Sequence, residues 1–177
     1  HALERVLYRN FAALGVPVYT AVELSFADSL AGTYPGSDRV PGVGSQYDMD
    51  YAADAQAKRA QAGHAMNGFL LPLYQGDAFQ PGSTDVGDVS WQCPTAQIHV
   101  ATWPNGCPGH SWQNVSCGRT DIGHKGAVHA GKVLAAAAID LLTDPALLEE
   151  AKAEFRRRTA AGYTCPIPAD AVPTIAD

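Results

Sequence analysis

The sequence predicts an α/β layer structure on three observations: two helical periodicities near its start, an alternating apolar segment near its middle, and two further helical patterns after it. The order helix, helix, strand, helix, helix is that of an incomplete layered domain in which a sheet is covered by helices. At 177 residues, 46% hydrophobic and 17% charged, the chain has the make-up of one globular domain with a core of its own.

The first helix is read over residues 2 to 14. Leu3, Leu7, Phe11 and Leu14 recur at helical spacing, Glu4, Arg5 and Arg9 fall elsewhere on the wheel, and Gly15 follows as a stop. Thr20, followed three residues later by Glu23, matches a capping box, in which hydroxyl and carboxylate each satisfy a free N–H at the start of a second helix. Val22, Phe26 and Leu30 supply the apolar face of that helix. From Ala31 to Tyr47 glycine, proline, serine and aspartate accumulate and periodicity disappears. Residues 31 to 65 therefore read as an irregular loop or insertion, with a short Ala-rich helix over 50 to 62.

Phe69 to Tyr74 is apolar, but Pro72 cannot donate to a ladder, so this segment is at best an edge strand. Gln97 to Trp103 is the best strand, because Ile98, Val100 and Thr102 alternate with His99 and Ala101. The loop Pro104 to Thr120 follows, then a long Ala-rich helix from about Ile122 to Thr143 with Asp121 placed to cap it. Asp144-Pro145 ends that helix and opens another, whose stripe is Leu147, Leu148, Ala151 and Phe155. Residues 162 to 177 carry several prolines and read as an extended tail that needs docking to be ordered.

Composition narrows the partners. The formal charge of −6 and a single basic cluster, Arg156-Arg157-Arg158 on a polar helix, argue against nucleic acid. The longest apolar run, Val133 to Leu142, is interrupted by Asp140 and falls short of a bilayer, so no membrane role is expected. Cys93, Cys107, Cys117 and Cys165 form no C-x-x-C pair and read as reduced thiols of a cytoplasmic protein, with a stray disulfide as the alternative. His1 stands within a helical pattern already running, which leads us to expect further polypeptide upstream.

Chemistry is expected in the loop Asn105-Gly106-Cys107-Pro108-Gly109-His110-Ser111-Trp112, just beyond the strand, where open α/β sheets place ligands. Pro108 restricts and Gly109 frees the backbone before His110, a combination that can aim a neutral imidazole at a zinc ion. The plain alternative is a loop histidine with no ligating role. His124 and Lys125, in the first turn of the long helix, could receive a substrate carboxylate; the alternative is a half-exposed histidine near a cap. His129 lies on a different face from His124, so the two do not form an i, i+4 metal pair, and His129 reads as packing.

Gly82-Ser83-Thr84-Asp85-Val86-Gly87-Asp88 fits a cleft turn leading into a short helix, and equally an ordinary capped turn. Glu149-Glu150 is assigned no chemistry, since first-turn dipole complementarity explains it. Asn114-Val115-Ser116 matches a glycosylation sequon without any other sign of secretion.

Taken together, Gly82 to Trp91, Pro108-Gly109-His110-Ser111-Trp112-Gln113, Ile122-Gly123-His124-Lys125-Gly126 and the tail Tyr163 to Pro168 resemble one branch of the zinc aminoacylase and carboxypeptidase family, the branch formed by the B subunits of aminobenzoyl-glutamate hydrolases. The resemblance implies a zinc-dependent exopeptidase fold, with residues 1–177 forming the C-terminal segment of its catalytic domain and the lid domain and N-terminal half absent. It implies hydrolysis of an amide bond beside a carboxylate, in aminobenzoyl-glutamate or a similar N-acyl amino acid, by two bridged zinc or manganese ions and a glutamate general base. By position His110 matches a metal ligand, and Thr84 and Asp85 match a motif lining the same cleft. His124 belongs to the branch's own signature. The base and the other ligands belong to upstream motifs, and no H-x-D or loop-borne Glu-Glu occurs in these residues. The resemblance therefore implies an oligomer that needs an N-terminal half or sister subunit, and a chain inactive alone. A non-catalytic carboxylate-binding or regulatory subunit is the alternative reading.

Overall fold

The computed structural model describes residues 1–40, 49–74 and 84–172. Among these the chain forms helices and no strand: α1 Ala2–Leu14, α2 Ala21–Ala31, α3 Met49–Gln61, α4 Val86–Ser90, α5 Trp112–Gly118, α6 Asp121–Thr143 and α7 Pro145–Arg158. The α/β expectation, a sheet flanked by helices in a partial exopeptidase domain, is therefore corrected to a helical architecture among the described residues. Residues 41–48, 75–83 and 173–177, which include Tyr47, Gly82, Ser83 and the end of the tail, lie outside them.

The reason lies in the segment expected to be the strand. Ala96, Ile98 and Val100 are half-buried against the main core while Gln97 and His99 are exposed, so burial alternates over these residues although no strand forms. Among the described residues no neighbouring segment supplies a ladder of hydrogen bonds. The Phe69–Tyr74 edge strand fails likewise, although Leu70 reaches the same core. Alternation specifies which side chains turn inward; pairing depends on distant residues.

Where local signals are complete, the helices follow them. The Glu23 N–H donates to the Thr20 hydroxyl at 3.3 Å and the Thr20 N–H donates back to the Glu23 carboxylate at 2.5 Å, closing the capping box of α2. Asp144 accepts from the Ala146 N–H at 3.0 Å and Pro145 takes the first position of α7, where its missing N–H costs nothing. Gly15 ends α1 at φ 76°, donating to the Phe11 carbonyl. The residue flanking α6 is Thr120 rather than Asp121, and its hydroxyl turns back to the Cys117 carbonyl instead of capping.

The main core joins Val6, Leu7 and Phe11 of α1 to Val133 and Ala137 of α6. α6 packs on α1, α5 and α7. Two glycines let other backbone approach it. A Cβ on Gly126 would lie 2.5 Å from Thr102 Cγ2 and 2.8 Å from the Ala101 carbonyl; one on Gly123 would lie 2.9 Å from the Cys117 carbonyl. Part of the Ile122 to Gly126 motif is thus explained by close packing. Contrary to the sequence expectation, α6 is long and apolar enough by length and composition to cross a membrane; here one face packs against helices while Val128, Leu134, Ile139 and Leu142 are exposed.

Ion pairs tie α1 to the later helices. Arg9 reaches Asp140 at 2.8 Å, Arg5 pairs with Glu150, and Glu149 pairs with Lys152 at 2.9 Å, which accounts for the adjacent glutamates without chemistry. The tail docks at Tyr163, whose ring stacks on Trp91 at 5.5 Å and whose hydroxyl donates to Asp88.

Candidate functional site

The loop carrying His110 is pinned at Asn105. This residue is only 6% exposed, and both its side-chain amide and its main chain are hydrogen-bonded. Its Nδ2 donates to the carbonyls of Ser37 at 3.0 Å and Arg39 at 2.6 Å, its Oδ1 accepts from Asn67 at 2.9 Å, and its main-chain carbonyl accepts from the Tyr34 hydroxyl at 3.0 Å, while its N–H donates to the Ala65 carbonyl at 2.8 Å. Burial pushes the Tyr34 phenol up to about 12, so it stays a donor throughout the neutral range. Next to Asn105, Gly106 sits at φ 70° against the Gly36 carbonyl, where any Cβ would collide.

The platform beneath Asn105 is itself a polar network. Asp28 of α2 accepts from the Ala65 N–H at 2.6 Å and pairs with His64 at 2.8 Å. Burial raises the Asp28 carboxyl, but the hydrogen bonds from Ala65 and His64 outweigh it and hold the group below its usual range. Arg59 of α3 donates to Asn67 at 3.1 Å and to the carbonyls of Met66 and His64. Three segments distant in sequence are thereby fixed under one loop.

Beyond this anchor the chain turns outward. His110 is exposed and has φ 54°, the one positive φ outside glycine among the described residues. A side chain held in the left-handed region costs about 1–2 kcal/mol, and such strain gathers at functional loops. The next residue fixes the exit: the Ser111 hydroxyl donates to the Pro108 carbonyl at 2.6 Å and accepts from the Asn114 N–H at 3.2 Å, capping α5. Burial raises the Cys107 thiol and pushes Cys117 up to about 11, so neither is poised as a thiolate nucleophile.

The other candidates do not converge on His110. Thr84 accepts from the Val86 N–H at 3.4 Å and Asp85 flanks α4 without a side-chain cap; both are exposed. His124 is exposed and lies 3.7 Å from Asp121. Lys125 donates to Glu23 at 2.7 Å and to the Val18 carbonyl at 3.1 Å, so its charge is already matched. His124 and Lys125 line a cleft with His129 and Lys132 that includes none of His110, Thr84 and Asp85. His129 is buried on Phe11, ring centroids 5.2 Å apart.

Among the described residues no three His, Cys, Asp or Glu side chains gather closely enough to hold a metal ion. The described residues therefore do not complete a metal centre around His110. Sequence reasoning does not single out Asn105, Asp28, Arg59 or Lys132. For Asn105 a signal exists, since Pro-Asn-Gly marks a turn whose asparagine commonly bonds backbone; for the rest the partners are remote.

Compared with known proteins, the chain is 33% identical over 179 residues to the B subunit of p-aminobenzoyl-glutamate hydrolase from Escherichia coli (strain K12). The alignment covers 97% of this chain, which spans 36% of the length of that relative. No family profile and no solved structure matches the chain.

Proposed function

We propose that the intact protein hydrolyses the amide bond of p-aminobenzoyl-glutamate or a similar N-acyl amino acid, and that His110 contributes one donor to a divalent-metal site whose other donors lie outside the described residues. The observation that carries this reading is the strained, exposed His110 beyond a buried anchor at Asn105. A left-handed histidine is costly, and an imidazole presented this way suits zinc or manganese. The name of the similar bacterial protein supports the substrate class. The metal, when bound, would polarise the carbonyl and activate water.

The role of the chain's own residues is to position. Asn105, Tyr34 and Ser111 hold both ends of the loop. Replacing His110→Ala in the intact protein is expected to abolish hydrolysis of p-aminobenzoyl-glutamate and to lower bound zinc or manganese. Undiminished hydrolysis in that variant refutes the proposal.

The second reading, a non-catalytic carboxylate-binding or regulatory subunit, draws on the word subunit in the relative's name. Metal-dependent turnover by the intact protein without a sister subunit would exclude it.

A further inference from the structure

α6 carries Lys125, His129 and Lys132 at i, i+4 and i+7, one stripe along the helix. This stripe faces the linker between α1 and α2 across a cleft of about 450 Å³, within the range of small-molecule sites. Leu14, Val16, Pro17 and Val18 on one side and Val128 on the other give it apolar walls, and no carboxylate among the described residues lines it. Two of its basic groups are answered locally: Lys125 by Glu23, and His124 by Asp121.

The other two are not. His129 is 8% exposed, its ring is held against Phe11, and its Nε2 is buried without a hydrogen-bond partner among the described residues. An unpaired buried polar atom is destabilising and calls for an explanation, such as a ligand. Lys132, one turn further along, is exposed and makes no ion pair or hydrogen bond among the described residues.

We propose that the cleft between the α1–α2 linker and α6 binds a small monocarboxylate with an apolar body, its carboxylate received by Lys132 and His129 and its body resting on Leu14, Pro17, Val18 and Val128. The site is separate from the hydrolytic reading, because it uses neither His110 nor a metal, and either can fail alone. Nε2 itself is buried, so receiving the carboxylate there requires the imidazole to move, which the His129 signals would report.

The test is titration of the full chain with sodium benzoate, followed by calorimetry and by the side-chain NMR signals of the histidines, with benzyl alcohol and inorganic phosphate as controls. Expected are saturable benzoate binding, a shift of the His129 signals, at least about tenfold weaker binding in Lys132→Ala, and recovery in Lys132→Arg. Lys132 is exposed, so these variants keep the fold. Benzoate binding unaffected by Lys132→Ala, or absent at millimolar concentrations, overturns the proposal. So does phosphate binding as tightly as benzoate, which would reveal a bare cationic patch, or benzyl alcohol binding equally, which would reveal an apolar slot.

Discussion

Tyr34 donates its hydroxyl to the main-chain carbonyl of Asn105 across 3.0 Å, joining the turn after α2 to the loop that presents His110. Both residues are buried: removing the Tyr34 hydroxyl leaves the Asn105 carbonyl without this partner, and removing the Asn105 amide leaves Asn67 and the Ser37 and Arg39 carbonyls without theirs. Tyr34→Phe is expected to lose about 1–2 kcal/mol and Asn105→Ala about 2–3 kcal/mol of unfolding free energy, the second being larger because three side-chain bonds go together. Denaturant unfolding at constant m-value reads both. An Asn105→Ala protein as stable as the parent would mean that the loop is held by something else.

The left-handed backbone of His110 makes a second prediction, in which two variants that lose the same imidazole part in stability. Glycine takes φ 54° without steric cost whereas alanine, like histidine, is strained there, so His110→Gly is expected to be at least about 0.5 kcal/mol more stable than His110→Ala. Parallel thermal melts decide it. An alanine variant as stable as the glycine one would show that the loop relaxes and stores no strain.

Two glycines of α6 should respond in opposite directions to the same change. At Gly131 no described residue lies within 4 Å of an added Cβ, so Gly131→Ala is expected to gain about 0.5–1 kcal/mol from helix propensity. At Gly126 the added methyl meets Thr102 and the Ala101 carbonyl, so Gly126→Ala is expected to cost about 1–3 kcal/mol despite the same propensity gain. Equal effects would contradict the close seating of residues 101–102 on α6.

These contrasts show what is legible in the sequence. The helix boundaries at Thr20 and Asp144 are readable because a cap is decided within four residues. The inward turn of Ile98 and Val100 is readable from alternation, but the pattern fails at Ala101, which packs on a second core, and a sheet is not readable, since pairing depends on segments that this pattern does not describe. A turn before His110 is readable from Pro108 and Gly109, whereas the left-handed backbone of His110 itself is not. Nor is the anchoring of the loop, because Asn105 bonds to residues 38 to 71 positions away. Lys125 alone has the look of a free carboxylate receptor, whereas Glu23, remote in sequence, answers it.

That last pair gives a pH dependence. The hydrogen bond from Lys125, then that from the Thr20 N–H, holds the Glu23 carboxyl below its ordinary value of 4.5. A carboxyl depressed in the folded state contributes stability that is fully present above its unfolded value and is lost as pH falls through the lower folded value. Unfolding free energy should therefore decline below about pH 4.5, and Glu23→Gln should flatten that part of the curve while keeping the capping box, since glutamine can accept from Thr20. The effect should shrink in high salt, because Lys125 is 35% exposed. Parallel acid limbs for parent and variant would assign the acid sensitivity to other carboxylates, with Asp28 and Glu154 next to be tested, since both are also held low by hydrogen bonds.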